Sequence, residues 1–395
     1  MNAVACDHPA LVGKPIYLDY NATTPVDPRV VEALLPVLTD DFGNPSSGHF
    51  FADAPRGALN RAREMVADLI GADAREIVFT GSGSEADALA IRGAVLAAVH
   101  RGADRPHVVT QVTEHPAVLA ACHALETEHG ADVTYLPVDG HGVVDPGDIL
   151  AAITPRTVLV SVMHANNETG TLQPIVDIAH VTRGSGVLLH TDAAQSVGKV
   201  PVDVDELGVD LLTLVGHKLY APKGTAALYV RDGVQLNPMV GGGGQERGLR
   251  AGTENVALAV ALGVAARLAG DAIAAGEPRR LAELRDLLAG ELIQRLPARV
   301  HVHGHPTRRL PHTLNLRIDG VLALSLLAGV PGLAASTGSA CHSGRDEPSE
   351  GLRALGLSRD QALSAIRLSL GRWTRPEQIR TAATLLADAA RDPDD

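Results

Sequence analysis

Lysine is scarce in this 395-residue chain: Lys14, Lys199, Lys218 and Lys223 are its only copies, amid many arginines. Arginine can neither lose its proton nor condense with a carbonyl, so a lysine retained against that bias is a candidate for covalent chemistry. Lys218 closes Val215-Gly216-His217-Lys218, directly after the apolar run Leu211 to Val215. Asp192 stands 218 − 192 = 26 residues earlier, one strand–helix–strand unit away, so both side chains can meet at one sheet edge. Upstream, Gly81-Ser82-Gly83-Ser84-Glu85 separates the strand-like Glu76 to Thr80 from the helical pattern ADALAIRGAVLAAV. A glycine-rich turn opening a helix presents free amides and the positive dipole end to an anion, although an ordinary serine N-cap looks the same. An anion cradle, an acid and a buried amine are together the parts that pyridoxal phosphate requires: a phosphate site, a partner for the pyridinium nitrogen and a Schiff-base lysine.

Other polar loops follow strand-like runs. Thr157 to Met163 leads into His164-Ala165-Asn166-Asn167-Glu168-Thr169-Gly170, denser in polar groups than a mere connection needs. His107 to Gln111 leads into Val112-Thr113-Glu114-His115-Pro116, and Gly186 to His190 into Thr191-Asp192-Ala193-Ala194-Gln195-Ser196. A lone histidine after a strand is more often structural than catalytic, and one carboxylate there is weak evidence. Four such loops in succession are not. Cys341 lies in Ser336-Thr337-Gly338-Ser339-Ala340-Cys341-His342-Ser343-Gly344. The commonest fate of a free cysteine is burial as a small hydrophobe, but glycine and polar neighbours predict exposure here, and an exposed unpaired thiol is a candidate nucleophile. Cys6 and Cys122 have no such surroundings.

These loops need a scaffold, and the chain alternates short buried strands with alanine-rich helical patterns. To the runs above it adds strands over Val133 to Pro137 and Ala226 to Val230. Such alternation predicts a mostly parallel sheet covered on both faces, with ligands at the carboxyl ends of its strands. A long helical pattern from Asn255 and another over Arg279 to Leu296 lead to strands at Leu314 to Ile318 and Ser364 to Leu370, read as a second, smaller α+β domain.

Bulk properties narrow the function. With 45% apolar residues the chain can bury a large core, and its length fits two or three structural units. A net charge of −12 and the lack of any basic run argue against direct nucleic-acid binding. The N-terminus lacks the basic start and apolar block of a secretory signal, so a cytoplasmic protein is expected. The apolar stretches Ala257 to Ala266 and Val321 to Val330 fall short of the about 20 residues that cross a bilayer, so no membrane span is expected. Three irregularly spaced cysteines do not make a disulfide framework, and there is no C-x-x-C pattern. His301, His303 and His305 alternate as metal ligands on a strand could, but a polar strand edge running into Pro306 explains them better, and no metal is expected.

From Tyr17-Leu18-Asp19-Tyr20-Asn21-Ala22-Thr23-Thr24-Pro25 to Ser369-Leu370-Gly371-Arg372, nearly its whole length, the chain resembles the class V aminotransferase family, specifically its cysteine desulfurases of the iron–sulfur-cluster type. The resemblance rests on the order and spacing of FGNPSS, TEH at Thr113 to His115, MHANNETG, DAAQSVGK, GHKLYAPKG, GGGQERGLRAGT, STGSAC and IRLSLGR. It implies fold type I of the pyridoxal-phosphate enzymes: a large α/β domain over 26–270 with a mostly parallel seven-stranded sheet, and a small α+β domain from 1–25 and 271–395 carrying the Cys341 loop.

The resemblance also implies roles. Lys218 forms the Schiff base with the cofactor, Asp192 pairs with the pyridinium nitrogen and His115 stacks on the ring and shuttles a proton. Asn167 and Gln195 bond around the ring oxygen. Gly83, Ser84 and His217 hold the phosphate, with Thr253 reaching it from the other subunit of a homodimer. Arg367 clamps the substrate carboxylate, with Asn21 and Asn167 beside it. The implied reaction converts L-cysteine to L-alanine and leaves a persulfide on Cys341 for a sulfur-acceptor protein. Two positions depart from the family. Val215 stands where a serine is usual, which removes one hydroxyl from the phosphate site, and the turn reads Gly-Ser-Gly-Ser rather than Ser-Gly-x-Thr. Alternatives are a related lyase acting on cysteine or selenocysteine, an aminotransferase, and a non-catalytic scaffold for sulfur carriers.

Overall fold

The computed structural model describes residues 7–337 and 347–391. Its strands in chain order are β1 (Ile16–Tyr17), β2 (Ile77–Thr80), β3 (His107–Gln111), β4 (Asp132–Leu136), β5 (Thr157–Ser161) and β6 (Leu188–Asp192). Then follow β7 (Leu211–Val215), β8 (Ala226–Val230), β9 (Val300–His303), β10 (Thr313–Ile318), β11 (Leu333–Ala334) and β12 (Ala365–Ser369). Seven of them form one sheet in the order β2-β8-β7-β6-β5-β3-β4. Only β8 runs against its neighbours, antiparallel to both β2 and β7, so the expected mostly parallel sheet is present.

The period of two along each strand feeds two apolar layers. Val109, Val160, Leu189, Leu212 and Ala227 point to one face with Val66, Ile70 and Leu262. Val108, Leu159, Leu211 and Leu228 point to the other, against Leu89, Val95 and Leu125. A second core is separate. The antiparallel sheet β12-β10-β9 packs Leu316, Ile318, Ile366 and Leu368 against Leu284, Leu288, Ile379 and Leu386 of the helices Glu277–Arg295 and Pro376–Ala390. Leu18, near the N-terminus, is buried in this second core, and β1 pairs in parallel with β11 beside it.

Two expectations need correction. The strand expected to end at His190 runs on to Asp192, because Asp192 still pairs with Thr213 of β7; the acid is the last rung of the ladder and not part of a free loop. The apolar stretch at Ala257 continues through Arg267 as a 19-residue helix, Val256–Ala274, long and apolar enough to cross a bilayer. Its length comes from burial on most sides: it is a core helix packed against the helices Pro28–Thr39 and Asp53–Ile70.

The alternating histidines have protein partners. His303 Nδ1 lies 2.7 Å from Asn315 Oδ1, His301 Nε2 lies 2.8 Å from Asp319 Oδ2, and His305 Nδ1 accepts from the amides of Thr307 (3.2 Å) and Arg308 (2.9 Å).

Candidate active site

The loops at the carboxyl ends of β2, β3, β5, β6 and β7 converge. At one end lies the helix Gly83–His100, whose Ser82 accepts the Glu85 amide at 3.1 Å. That cap satisfies one of the first-turn amides and leaves those of Gly83 and Ser84 pointing out of the helix end, where an anion is favoured. Val215, at the end of β7, sits directly behind: a Cβ on Gly83 would come 2.6 Å from Val215 Cγ2. The valine that replaces the usual serine thus fills the space under the turn, and Gly83 must be glycine here for steric reasons. His217 Nδ1 is 3.2 Å from Thr23 Oγ1, and burial lowers its pKa to about 4, so it serves as a neutral hydrogen-bonding group. Thr253 is exposed, in a stretch whose Arg250 is tied to Glu85 at 2.8 Å. Among the described residues no hydrogen bond joins Thr253 to Gly83, Ser84 or His217.

The floor of the site is acidic. Asp192 is buried, and its Oδ1 accepts from the Ala194 amide at 2.9 Å. Burial pushes its pKa up, while the nearby His115 and Lys218 pull the other way. His115 caps the helix Pro116–His129, accepting the Ala117 amide on Nδ1 at 3.2 Å, which leaves Nε2 for a ligand. Lys218 closes the 3-10 turn Gly216–Lys218, and its Nζ donates to the carbonyls of Asn21 and, at 2.8 Å, Ala22. Desolvation, helped by the positive charge of Arg367, lowers the amine to about 8, which makes a free base available near neutral pH.

The opposite wall is a seam between the two cores. Arg367, on β12, donates to Asp19 Oδ1 at 2.9 Å and to the Asn167 carbonyl at 3.1 Å. Its buried Nε has no partner, a donor left over for an incoming acceptor. Gln195 Nε2 donates to the Asn21 carbonyl at 3.1 Å. The Asn21 side chain, expected beside a substrate, spends its amide on the Asn167 carbonyl (3.1 Å) and Thr313 Oγ1 (3.0 Å), so it positions the Asn167 loop. Cys341 lies outside the described residues.

Sequence reading missed a layer beneath this site. Asp87, Glu114 and His190 are buried, and Asp19 holds Arg367. Glu114 Oε1 accepts from the Met163 amide (2.6 Å) and Gln111 Nε2 (3.0 Å), and burial raises its pKa to about 8. One signal was available for Asp87: it shares a helix face with Ala90, Ile91 and Ala94, so the helical period puts an acid on an apolar face. Asp87, His115 and Asp192 have ligand atoms within 4.8 Å of one another, the spacing of a small cation site.

The residues present fit pyridoxal phosphate. The amide end beside Gly83 and Ser84 suits a phosphate, Asp192 suits a protonated ring nitrogen, His115 has an open edge above, and Lys218 is a desolvated amine. The Aminotransferase class-V family model matches residues 16–381. A cysteine desulfurase of Trichormus azollae is 48% identical over 92% of this chain and 90% of its own. A solved NifS-like protein superposes with a TM-score of 0.87 at 31% identity, covering 95% of this chain and 98% of that one. SspA, solved in complex with cysteine, gives a TM-score of 0.78 at 38% identity, with 90% and 98% covered.

Proposed function

The chain belongs to the class V aminotransferase family, and from that premise we infer that it is a pyridoxal-phosphate-dependent cysteine desulfurase, converting L-cysteine to L-alanine with transfer of the sulfur to Cys341. The observation that carries this reading is the convergence on one cleft of Asp192 at the end of β6, Lys218 in the turn after β7, His115 at the start of a helix and Arg367 on β12. When bound, pyridoxal phosphate supplies an electron sink for negative charge at the substrate Cα.

The chain's own groups do the rest. Arg367 turns from Asp19 to the substrate carboxylate, which a planar guanidinium meets in two hydrogen bonds. Lys218 Nζ, with its lowered pKa, takes the Cα proton. Asp192 would hold the ring nitrogen of the bound cofactor in its protonated form, and His115, whose Nδ1 is taken by the Ala117 amide, would use Nε2 to pass protons. The Cys341 thiolate attacks the substrate sulfur; the carbon–sulfur bond breaks as the sulfur–sulfur bond forms, and a proton restores the methyl group of alanine. Cysteine and a thiol thus become alanine and a persulfide, with no external oxidant. We further read the enzyme as a homodimer in which Thr253 completes the partner's phosphate site, and a protein thiol as the acceptor of the sulfur.

The test is direct. After brief exposure to cysteine, mass spectrometry should find one added sulfur on the Cys341 peptide, removed by reductant, and none on the peptides of Cys6 or Cys122. Alanine release by Cys341→Ser at the wild-type rate would replace the desulfurase by a lyase.

A further inference from the structure

Asp87 is a buried group that the reaction above does not use. It lies on the second turn of the helix Gly83–His100, is 2% exposed, and its Oδ1 has no hydrogen-bond partner. The groups facing it come from three directions. His190 on β6 brings Nε2 to 3.8 Å from Asp87 Oδ1, and Asp192 ends the same strand. Glu114 and His115 approach from the loop after β3, and the Thr213 hydroxyl from β7.

None of these is a secure cation. His190 is held between Ser161 Oγ (2.9 Å) and Thr213 Oγ1 (3.2 Å), and burial lowers its pKa to about 3, so it stays neutral. Glu114 is another acid, and His115 is itself shifted toward the neutral form. Two carboxyl groups this close in a dry site cannot both be charged, because Lys218 and His115 offset the charge of Asp192 alone and no cation offsets a second one on Asp87. The ring nitrogen can neutralise one of them. The other must carry a proton, and Asp87, whose charged neighbours are the acids Asp192 and Glu114 while Lys218 acts on Asp192, is the one without a cation.

We propose that Asp87 is a positioning residue for the cofactor site: it forms a proton-sharing carboxyl pair with Asp192, so that a single negative charge faces the ring nitrogen. The protonated Asp87 donates toward Asp192 and orients its carboxylate, much as a neutral amide could. The pair also gives the site a pH limit, since loss of the shared proton places two charges in one buried pocket. This inference rests on Asp192 being the ring-nitrogen partner, but its main consequence concerns the apoprotein.

The sign is set by burial. Both acids have folded pKa values raised above their unfolded ones, so their contribution to stability is fully present below about pH 4 and is lost as pH rises. Asp87→Asn keeps a donor and the shape while removing one ionisation. Thermal unfolding of wild-type and Asp87→Asn apoprotein should therefore diverge, the variant gaining relative to wild type between pH 5 and 8. Titration with pyridoxal phosphate should find Asp87→Asn within about threefold of wild type and Asp87→Ala about tenfold weaker, the scale of one lost charged hydrogen bond. A Tm difference that is the same at pH 5 and 8, or an Asp87→Ala protein that binds the cofactor as tightly as wild type, would overturn the pair. So would a rise in wild-type apoprotein Tm with added zinc or magnesium that Asp87→Asn abolishes, since the site would then hold a cation. Should Asp87→Asn not fold, Asp192→Asn apoprotein decides: it should lose the same pH-dependent penalty, and an unchanged penalty overturns the proposal. A chain with this titration but no desulfurase activity would sink the proposed function and leave the pair standing.

Discussion

On the floor of the site, Asp192, Lys218 and His115 each sit within a few residues of a strand that is hydrogen-bonded on both sides, while at the seam Arg367, Asn21 and Asp19 are joined across the two cores. The floor is rigid because the seven-stranded sheet is. Beyond the ladder that pairs Arg367 with Asn315, the seam is tied by contacts between segments hundreds of residues apart, such as Asp19 with Arg367 (367 − 19 = 348). On the function proposed above, proton transfer would fall to the first and recognition, which must exchange one partner for another, to the second: Arg367 has both a carboxylate partner, Asp19, and an unpartnered Nε.

Floor residues should therefore fail in kcat and seam residues in KM. The largest effect is expected from Lys218→Ala, which on the proposed function removes both the attachment and the base: turnover should fall by at least about a thousandfold with the fold intact, by alanine release and circular dichroism. Near-normal turnover would break the contrast at its strongest point. Asp192→Asn should come next, losing roughly a hundredfold in kcat at little change in KM. Arg367→Gln should do the reverse, raising KM for cysteine by about tenfold or more with a smaller change in kcat.

The two regions also touch electrostatically. Lys218 is lowered to about 8 by burial and by Arg367, so the rate at which apoprotein captures pyridoxal phosphate should climb through about pH 8 and then level off. In Arg367→Gln the midpoint should move upward, as a positive neighbour is lost and Asp19 is freed; stopped-flow absorbance measures it, and an unmoved midpoint means that seam and floor are uncoupled. The smallest effect belongs outside both: His301→Ala breaks an exposed pair with Asp319 and should change stability by less than about 1 kcal/mol and activity not at all.

The same contrast explains what could be read beforehand. A strand followed by a polar loop is a local pattern, so the sheet, the turn at Gly83 and the residues Asp192 and Lys218 were legible from spacing and residue type. The roles of His217 and Thr253 came only through family resemblance. The bonds of Asn21 with Asn167 and Thr313, and of Asp19 with Arg367, were not legible, because no short-range pattern records which distant segment a polar side chain will meet. Asp87 was hidden for another reason: a helical acid is ordinarily a solvent-facing residue, and only its phase against Ala90 and Ala94 marks it as inward.

The pairing of β1 with β11 has a consequence for how the molecule is made. Ile16 must wait for Leu333, 333 − 16 = 317 residues later, before its strand can close. At about 5–20 residues per second, that is a delay of roughly 15–60 s on the ribosome. The large sheet, complete once Val230 has emerged, can assemble in that interval with Lys218 already at its edge. The nascent chain therefore passes through a half-built stage in which Lys218 can meet the cofactor before Arg367 has been made.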